Sequence, residues 1–141
     1  MSVTQTNMAS RYYVQQYPFI GANLSANGGT LQFPGTLQAQ EFWMPRRGSI
    51  IGFSGSLNAP LTAGTLTFQP TINGSLAPAF TNARLHLSSQ AAHETKDGNT
   101  DNLIFTAGQA IGVSYTASDS VTPATVDGVF IIETLMQDVN Y

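Results

Sequence analysis

The sequence predicts an all-β fold, an antiparallel β-sandwich of about eight strands. Apolar and polar residues alternate with a period of two in several short segments, which clusters of turn residues separate about every 8–12 residues. Asn73-Gly74 is a dipeptide typical of type I′ hairpin turns. The tripeptide Thr-Ala-Gly occurs at residues 62–64 and again at 106–108, each time just before an alternating segment. Together these features favour strands joined by tight turns over helices.

The strands are predicted in chain order from this alternation. The first covers residues 12–19, where Pro18 indicates a sheet edge or a strand end. The others are predicted at residues 37–44, 49–57, 65–72, 84–88, 103–105, 109–117 and 126–136. Residues 1–11 are predicted to form a flexible arm, and residues 21–35 and 89–102 to form loops, the second with a helical turn at Ala91-Ala92. We therefore divide the chain into an N-terminal arm with the first strand, residues 1–40, and a sandwich domain, residues 41–141.

The alternation also predicts which side chains form the core. In three strands the predicted inward-facing residues are Ile51, Phe53 and Leu57, then Leu66 and Phe68, then Ile111, Val113 and Tyr115. The last strand differs, because Val129, Phe130, Ile131 and Ile132 make it apolar on both faces. A strand buried on both faces needs a second cover. We predict that this cover is another subunit and that the sandwich is a jelly roll.

Composition excludes several classes of protein. Charged residues make up 9% of the chain, against about 25% in an ordinary domain, which suits a protein packed against neighbours. The net charge is −3 with only five basic residues, so binding to nucleic acid is not expected. The chain has no cysteine, which excludes disulfides and thiolate chemistry. It shows neither a signal peptide nor an apolar run long enough for a membrane span, so a cytoplasmic site of synthesis is expected.

No motif predicts catalysis or a cofactor. Asp97, Asn99 and Asp101 begin with the spacing of a calcium loop, but the Gly and Glu that such a loop needs are missing, which favours a solvated acidic loop. Ser54 lies in an alternating strand rather than in a nucleophile elbow. His86 and His93 have no third partner at a spacing that predicts zinc binding or a triad. The sequence therefore predicts no enzyme.

The composition fits residues that contact another protein better than it fits catalytic residues. Trp43, Arg46 and Arg47 lie next to each other at a predicted turn, and Trp and Arg are the types most enriched at binding hot spots. A solvated turn is the alternative interpretation of the two arginines, and the sequence does not separate the two.

Three segments carry a resemblance to a known family: residues 48–67, then Ile72-Asn73-Gly74, then residues 105–115. They resemble trimeric head-decoration (cement) and head-fibre proteins of tailed bacteriophages, and the third also resembles a strand of C1q/tumour-necrosis-factor-like jelly rolls. The resemblance covers residues 44–136. The chain lacks a collagen-like or coiled-coil stalk, which disfavours a C1q-like role, and residues 1–40 have no counterpart.

The resemblance implies a structural virion protein, a homotrimer that binds the major capsid protein on the outside of the head and stabilises it. Trimer burial is expected at Val129, Phe130, Ile131 and Ile132. Capsid contact is expected at Tyr12, Tyr13, Tyr17, Trp43, Arg46 and Arg47. The alternative is a carbohydrate-binding or adhesin-type module whose Trp43 stacks on a glycan.

Overall fold

A computed structural model describes residues 12–24, 28–32, 34, 41–74, 85–87, 91–95, 103–118, 121–123 and 125–137. Within these residues ten strands are found. They are β1 (Tyr12–Gly21), β2 (Gly29–Thr30), β3 (Phe42–Trp43), β4 (Gly48–Leu57), β5 (Leu66–Ile72), β6 (Leu85–Leu87), β7 (Ala91–Thr95), β8 (Ile104–Phe105), β9 (Ala110–Ala117) and β10 (Gly128–Gln137). The predicted arm at residues 1–11 and the Asp97, Asn99 and Asp101 loop lie outside the described residues.

The strands form two antiparallel sheets. Sheet A has the order β1-β10-β4-β7, with β8 also paired to β4, and sheet B has the order β2-β9-β5-β6, with β3 also paired to β9. β3 and β8 lie beside the main strand order and are set aside here. Among the remaining strands, β1 pairs with β10, β2 with β9, β4 with β7 and β5 with β6. Successive pairs fall in alternate sheets, which is the arrangement of a jelly roll. The predicted fold class is confirmed.

The core lies between the sheets and is built by the predicted alternation. Leu66 and Phe68 of β5 and Ile111 and Val113 of β9 are buried. Phe130 of β10 stacks between Phe53 of β4 and Phe68 of β5, with ring centroids 5.7 and 5.5 Å away and both interplanar angles 23°. Because Phe53 and Phe130 come from sheet A and Phe68 from sheet B, this stack joins the two sheets.

One prediction of facing is wrong because of a β-bulge. On the β4·β10 ladder Glu133 is opposite Gly52 and Thr134 is opposite Ile50, so Ile51 has no partner residue on β10. The extra residue shifts the alternation of β4 by one. Ile50 is therefore fully buried in the core, and Ile51 is only half-buried.

Two predicted loops contain strands. Within residues 21–35, Gly29 and Thr30 pair with β9, and Ile20 bridges to Gln32. Within residues 89–102, Ala91–Thr95 is β7 and not a helical turn at Ala91-Ala92. Neither segment has an apolar alternation that would predict a strand. Both strands lie at the ends of their sheets, where the neighbouring strand supplies the backbone partners.

At Asn73-Gly74 the backbone conformation is the predicted one, but the two residues do not form a two-residue hairpin between β5 and β6, because Leu66 pairs with Leu87 and Phe68 with Leu85. Both residues have positive φ, 53° and 76°, as a type I′ turn requires. The Asn73 amide donates to the Ala110 carbonyl oxygen (2.8 Å), and the Ala110 amide donates to Asn73 Oδ1 (2.9 Å). Asn73 thus extends the β5·β9 ladder by one residue and fixes the turn against β9.

Candidate interaction surfaces

The predicted contact residues at the start of β1 lie beside the turn that contains the arginines. Tyr12 is the partner of Gln137 on β10, and the Gln137 amide donates to the Arg47 carbonyl oxygen (2.9 Å). Tyr12 and Arg47 thus flank Gln137 from its two sides. Both side chains are exposed, Tyr12 by 56%. The structure therefore brings together two residues that are 35 positions apart in sequence, as a common contact surface would require.

Trp43 projects from the sandwich on the side of sheet B. It pairs with Ala110 of β9 and is 71% exposed, while its neighbour Phe42 points inward. The Phe42 ring packs on Tyr17 (4.9 Å between centroids) and edge-on against Phe19 (5.2 Å). Phe42 thus joins the β1 edge of sheet A to sheet B, and this packing leaves Trp43 turned to solvent.

Tyr17 has a structural role in this packing. Its hydroxyl donates to the Met136 sulfur (3.2 Å), and its ring lies on Phe42. Burial, and secondly the nearby Tyr13, raises the pKa of the Tyr17 phenol above its ordinary value of 10.0. The side chain is half-buried, so it offers much less surface to a partner than Tyr12 does.

The four residues predicted for trimer burial separate by face. Phe130 and Ile132 are completely buried between the sheets, where a neighbouring subunit does not reach them. Val129 and Ile131 are half-buried and lie on the opposite face of β10. The prediction of a subunit contact therefore rests on Val129 and Ile131 alone.

These two residues belong to the outer face of sheet A, on which apolar side chains flank one polar pair, Gln16 and Glu133. Across the β1·β10 register Ile20 is opposite Val129, and Val14 is opposite Leu135. Val14 is exposed, and Ile20, Val129, Ile131 and Leu135 are half-buried. Apolar side chains on a solvent-accessible sheet face are typical of a surface that another molecule covers. Of this surface, the sequence pattern of β10 predicted Val129 and Ile131.

A groove that sequence reasoning missed lies at one end of this face. It has a volume of about 490 Å³, with apolar walls from Ile20, Leu57 and Val129 and a polar rim that includes Asn58 and Asp127. Asn58 Oδ1 accepts from the Asp127 amide (3.0 Å), and the Asp127 carboxylate accepts from the Asn23 amide (3.0 Å). These bonds pin the loops at the ends of β1, β4 and β10, which gives both polar residues a structural role.

The His, Asp and Glu side chains of the described residues do not cluster. No group of three or more His, Asp or Glu side chains that could hold a metal ion occurs among them. Ser54 lies within β4, and the backbone positions of His86 and His93 fall in different sheets. In the same part of the chain, no helix has the length and apolar character needed to cross a membrane.

No protein-family model and no curated protein matches this chain. Among the solved structures that this chain resembles, two align with most of its length. A chain of the cyanophage Pam1 capsid asymmetric unit shares 17% identity, covering 92% of this chain and 87% of that chain, with a TM-score of 0.46. A chain from desmodium yellow mottle tymovirus shares 12% identity, covering 93% of this chain and 91% of that chain, with a TM-score of 0.35. At these values the similarity establishes neither a family nor a shared function.

Proposed function

We propose that this chain is a structural virion protein, a decoration or cement protein that binds the outside of a tailed-bacteriophage capsid as a homotrimer and stabilises the head. The observation that carries the proposal is the outer face of sheet A. Its half-buried Val129 and Ile131 are an apolar surface on a folded chain that has few charged residues. The sequence resemblance to trimeric decoration proteins supplies the biological setting.

In this proposal the two kinds of surface have separate roles. The outer face of sheet A around Val129 and Ile131 meets the neighbouring copies of the trimer. Tyr12, Tyr13, Trp43, Arg46 and Arg47 meet the capsid. Aromatic and arginine side chains suit such a contact, since they supply large buried area and planar hydrogen-bonding groups. A trimer that bridges capsid subunits adds interface that must be broken before the shell opens.

The trimer is tested by native mass spectrometry and light scattering of the full chain at micromolar concentration. The number of chains in the particle is expected to be a multiple of three, so its mass is at least three times the 15.0 kDa of one chain. Ile131→Lys should dissociate it, because the substitution places a charge in the subunit contact. Thr116→Lys is the matched control, since Thr116 is an exposed strand residue of sheet B. A monodisperse wild-type monomer, or equal effects of the two lysines, would contradict the proposed trimer.

Capsid binding is tested separately, by banding intact particles in a density gradient and probing them with an antibody against the purified chain. The protein should band with the particles, and immunogold labelling should place it on their outside. Absence from washed particles would overturn the virion role even if the trimer is found.

One observation favours the second candidate function, a carbohydrate-binding or adhesin-type module. Trp43 is exposed, and both Trp43 and Asn73 flank Ala110 on β9. An aromatic platform near a carboxamide is an arrangement suited to a sugar ring. A glycan array should show binding that Trp43→Ala abolishes, and a wild-type protein that binds no glycan removes this candidate.

A further inference from the structure

The outer edge of β1 has backbone groups that point away from sheet A. In an antiparallel pair, residues alternate between those bonded to the partner strand and those directed to the opposite side. Ile20 marks the phase, because its amide donates to the Gln32 carbonyl oxygen (2.7 Å) and its carbonyl oxygen accepts from the Gln32 amide (2.9 Å), on the side away from β10. By the same alternation, Pro18, Gln16, Val14 and Tyr12 direct their main-chain groups outward.

Among the described residues, the inner half of this edge has a partner and the outer half, residues 12–16, has no paired strand. The outward-directed backbone groups of Ile20 are hydrogen-bonded to Gln32, and Pro18 has no amide hydrogen to donate. Residues 12–16 are all exposed, Val14 by 54%. Within the described residues the outward-directed groups of this segment have one hydrogen bond, a long one of 3.4 Å from Gln15 Nε2 to the Gln16 carbonyl oxygen. The segment is therefore a row of accessible donors and acceptors.

Within the described part of the chain, residues 12–16, the open segment, show none of the features that normally prevent strand pairing. Edge strands of monomeric proteins are protected by lysines, prolines, bulges or a covering loop. No residue of β1 is charged, and its single proline protects only the inner half. The Gln16 carboxamide donates to Glu133 on the same sheet (3.0 Å) and leaves the backbone groups at the edge uncovered.

We propose that a second copy of this chain pairs with the open segment, edge to edge and antiparallel, with Val14 opposite the partner's Val14. The outward-directed residues 12, 14 and 16 are symmetric about Val14, so a two-fold axis through this position matches each donor with an acceptor. Three bonded residue pairs then form, with six N–H···O bonds. A two-fold interface uses the same patch on both subunits, and an uncharged patch meets its own copy without repulsion.

The pairing also extends the outer face of sheet A. Val14 lies opposite Leu135 on that face, so a second Val14 continues the apolar row into the partner's sheet. Pro18 limits the pairing to residues 12–16 and so fixes its register. This inference does not depend on the proposed trimer. If both contacts exist, the expected assembly has six chains.

Val14→Pro tests the pairing with little effect on the fold. The Val14 amide points away from β10, so its removal costs no bond within sheet A, and Pro18 already occupies an equivalent outward position. Native mass spectrometry of the full chain should show an even number of chains for the wild type and half that number for the variant. Val14→Thr keeps the amide and should leave the mass unchanged.

Hydrogen exchange provides the second readout. At high protein concentration the amides of residues 12 and 16 should exchange at least ten times more slowly in the wild type than in Val14→Pro, which has no amide hydrogen at position 14. Val14→Lys, which places like charges opposite each other, should give the same loss as the proline. An odd number of chains in the wild type, or a mass unchanged by both variants with unprotected amides, overturns the inference. Ile131→Lys reports on the trimer independently, because it changes the mass three-fold and leaves these amides protected.

Discussion

Replacement of Phe130 by alanine separates a core role from an interface role on β10. The Phe130 ring is fully buried and stacks between Phe53 and Phe68, so the substitution removes the central member of a stack that joins both sheets. Its neighbour Ile131 faces the other way and is half-buried. Replacement by alanine at these two adjacent positions therefore affects two different parts of the protein, the core at Phe130 and the outer face of sheet A at Ile131.

The magnitudes differ enough to be measured. Phe→Ala at a buried site lowers the free energy of unfolding by about 3–5 kcal/mol, from lost transfer energy and from the cavity left behind. The two lost ring pairs, at about 0.5–1.5 kcal/mol each, place Phe130→Ala in the upper part of that range. Ile131→Ala removes a side chain that is only half shielded from water, so a loss of about 1 kcal/mol is expected. Phe130→Leu, which fills most of the space, should fall between them.

Urea unfolding followed by far-UV circular dichroism at fixed protein concentration measures these losses. With an m-value of about 1.5 kcal/mol/M, Phe130→Ala should lower the midpoint by about 3 M and Ile131→Ala by less than about 1 M. Mass measurements should show that Ile131→Ala weakens self-association and that Phe130→Leu does not. Equal midpoint shifts for the two alanine variants, or a Phe130→Leu variant that dissociates while remaining stable, would refute the assignment of faces.

Two further predictions concern close packing and titration. Gly48→Ala places a Cβ 2.5 Å from the Leu135 carbonyl oxygen and should lower the free energy of unfolding by about 1–3 kcal/mol. In Gly29→Ala the new Cβ meets only the Tyr115 ring, at 3.5 Å, and the free energy of unfolding should change by less than about 0.5 kcal/mol. Urea unfolding compares the two variants, and equal losses would contradict the close backbone contact at Gly48. For Tyr17, the folded-state pKa lies above 10.0, so on raising the pH the unfolded chain loses the phenolic proton first, and the stability is intact below pH 10 and falls above it. Ultraviolet titration should show a late phenolic transition that Tyr17→Phe removes, and persistence of that transition in the variant would contradict the assignment.

Much of the sandwich could be predicted from local pattern. The β5 and β9 alternations place Phe68 and Val113 in the core, and Asn73-Gly74 adopts the turn that its residue types favour. These features depend on residues close in sequence, where side-chain period and backbone preference act directly. The apolar residues on both faces of β10 were likewise informative about its position, because a strand with one face in water does not need apolar residues on that face.

The errors arise where distant strands determine the structure. The bulge at Ile51 follows from the register between β4 and β10, which the β4 sequence does not contain. β7 has no apolar alternation and is a strand because it pairs with β4. The Tyr17 ring packs on Phe42, a contact formed only when the two sheets come together, while the capsid contact of Tyr17 stays a prediction. Local periodicity carries no information on such pairings.

The two sheets differ in what they offer to a partner. On the outward side of sheet B, Thr30 and Thr116 are exposed and can bond to water, whereas Gln69 and Thr71 of β5 are buried. On sheet A the outward side has Val129, Ile131 and Leu135, and its edge strand has an uncharged open segment at residues 12–16. Apolar side chains and free backbone groups are both stabilised by another polypeptide. Since both occur on sheet A, we expect contacts between copies there, with Trp43 on sheet B left for a different partner.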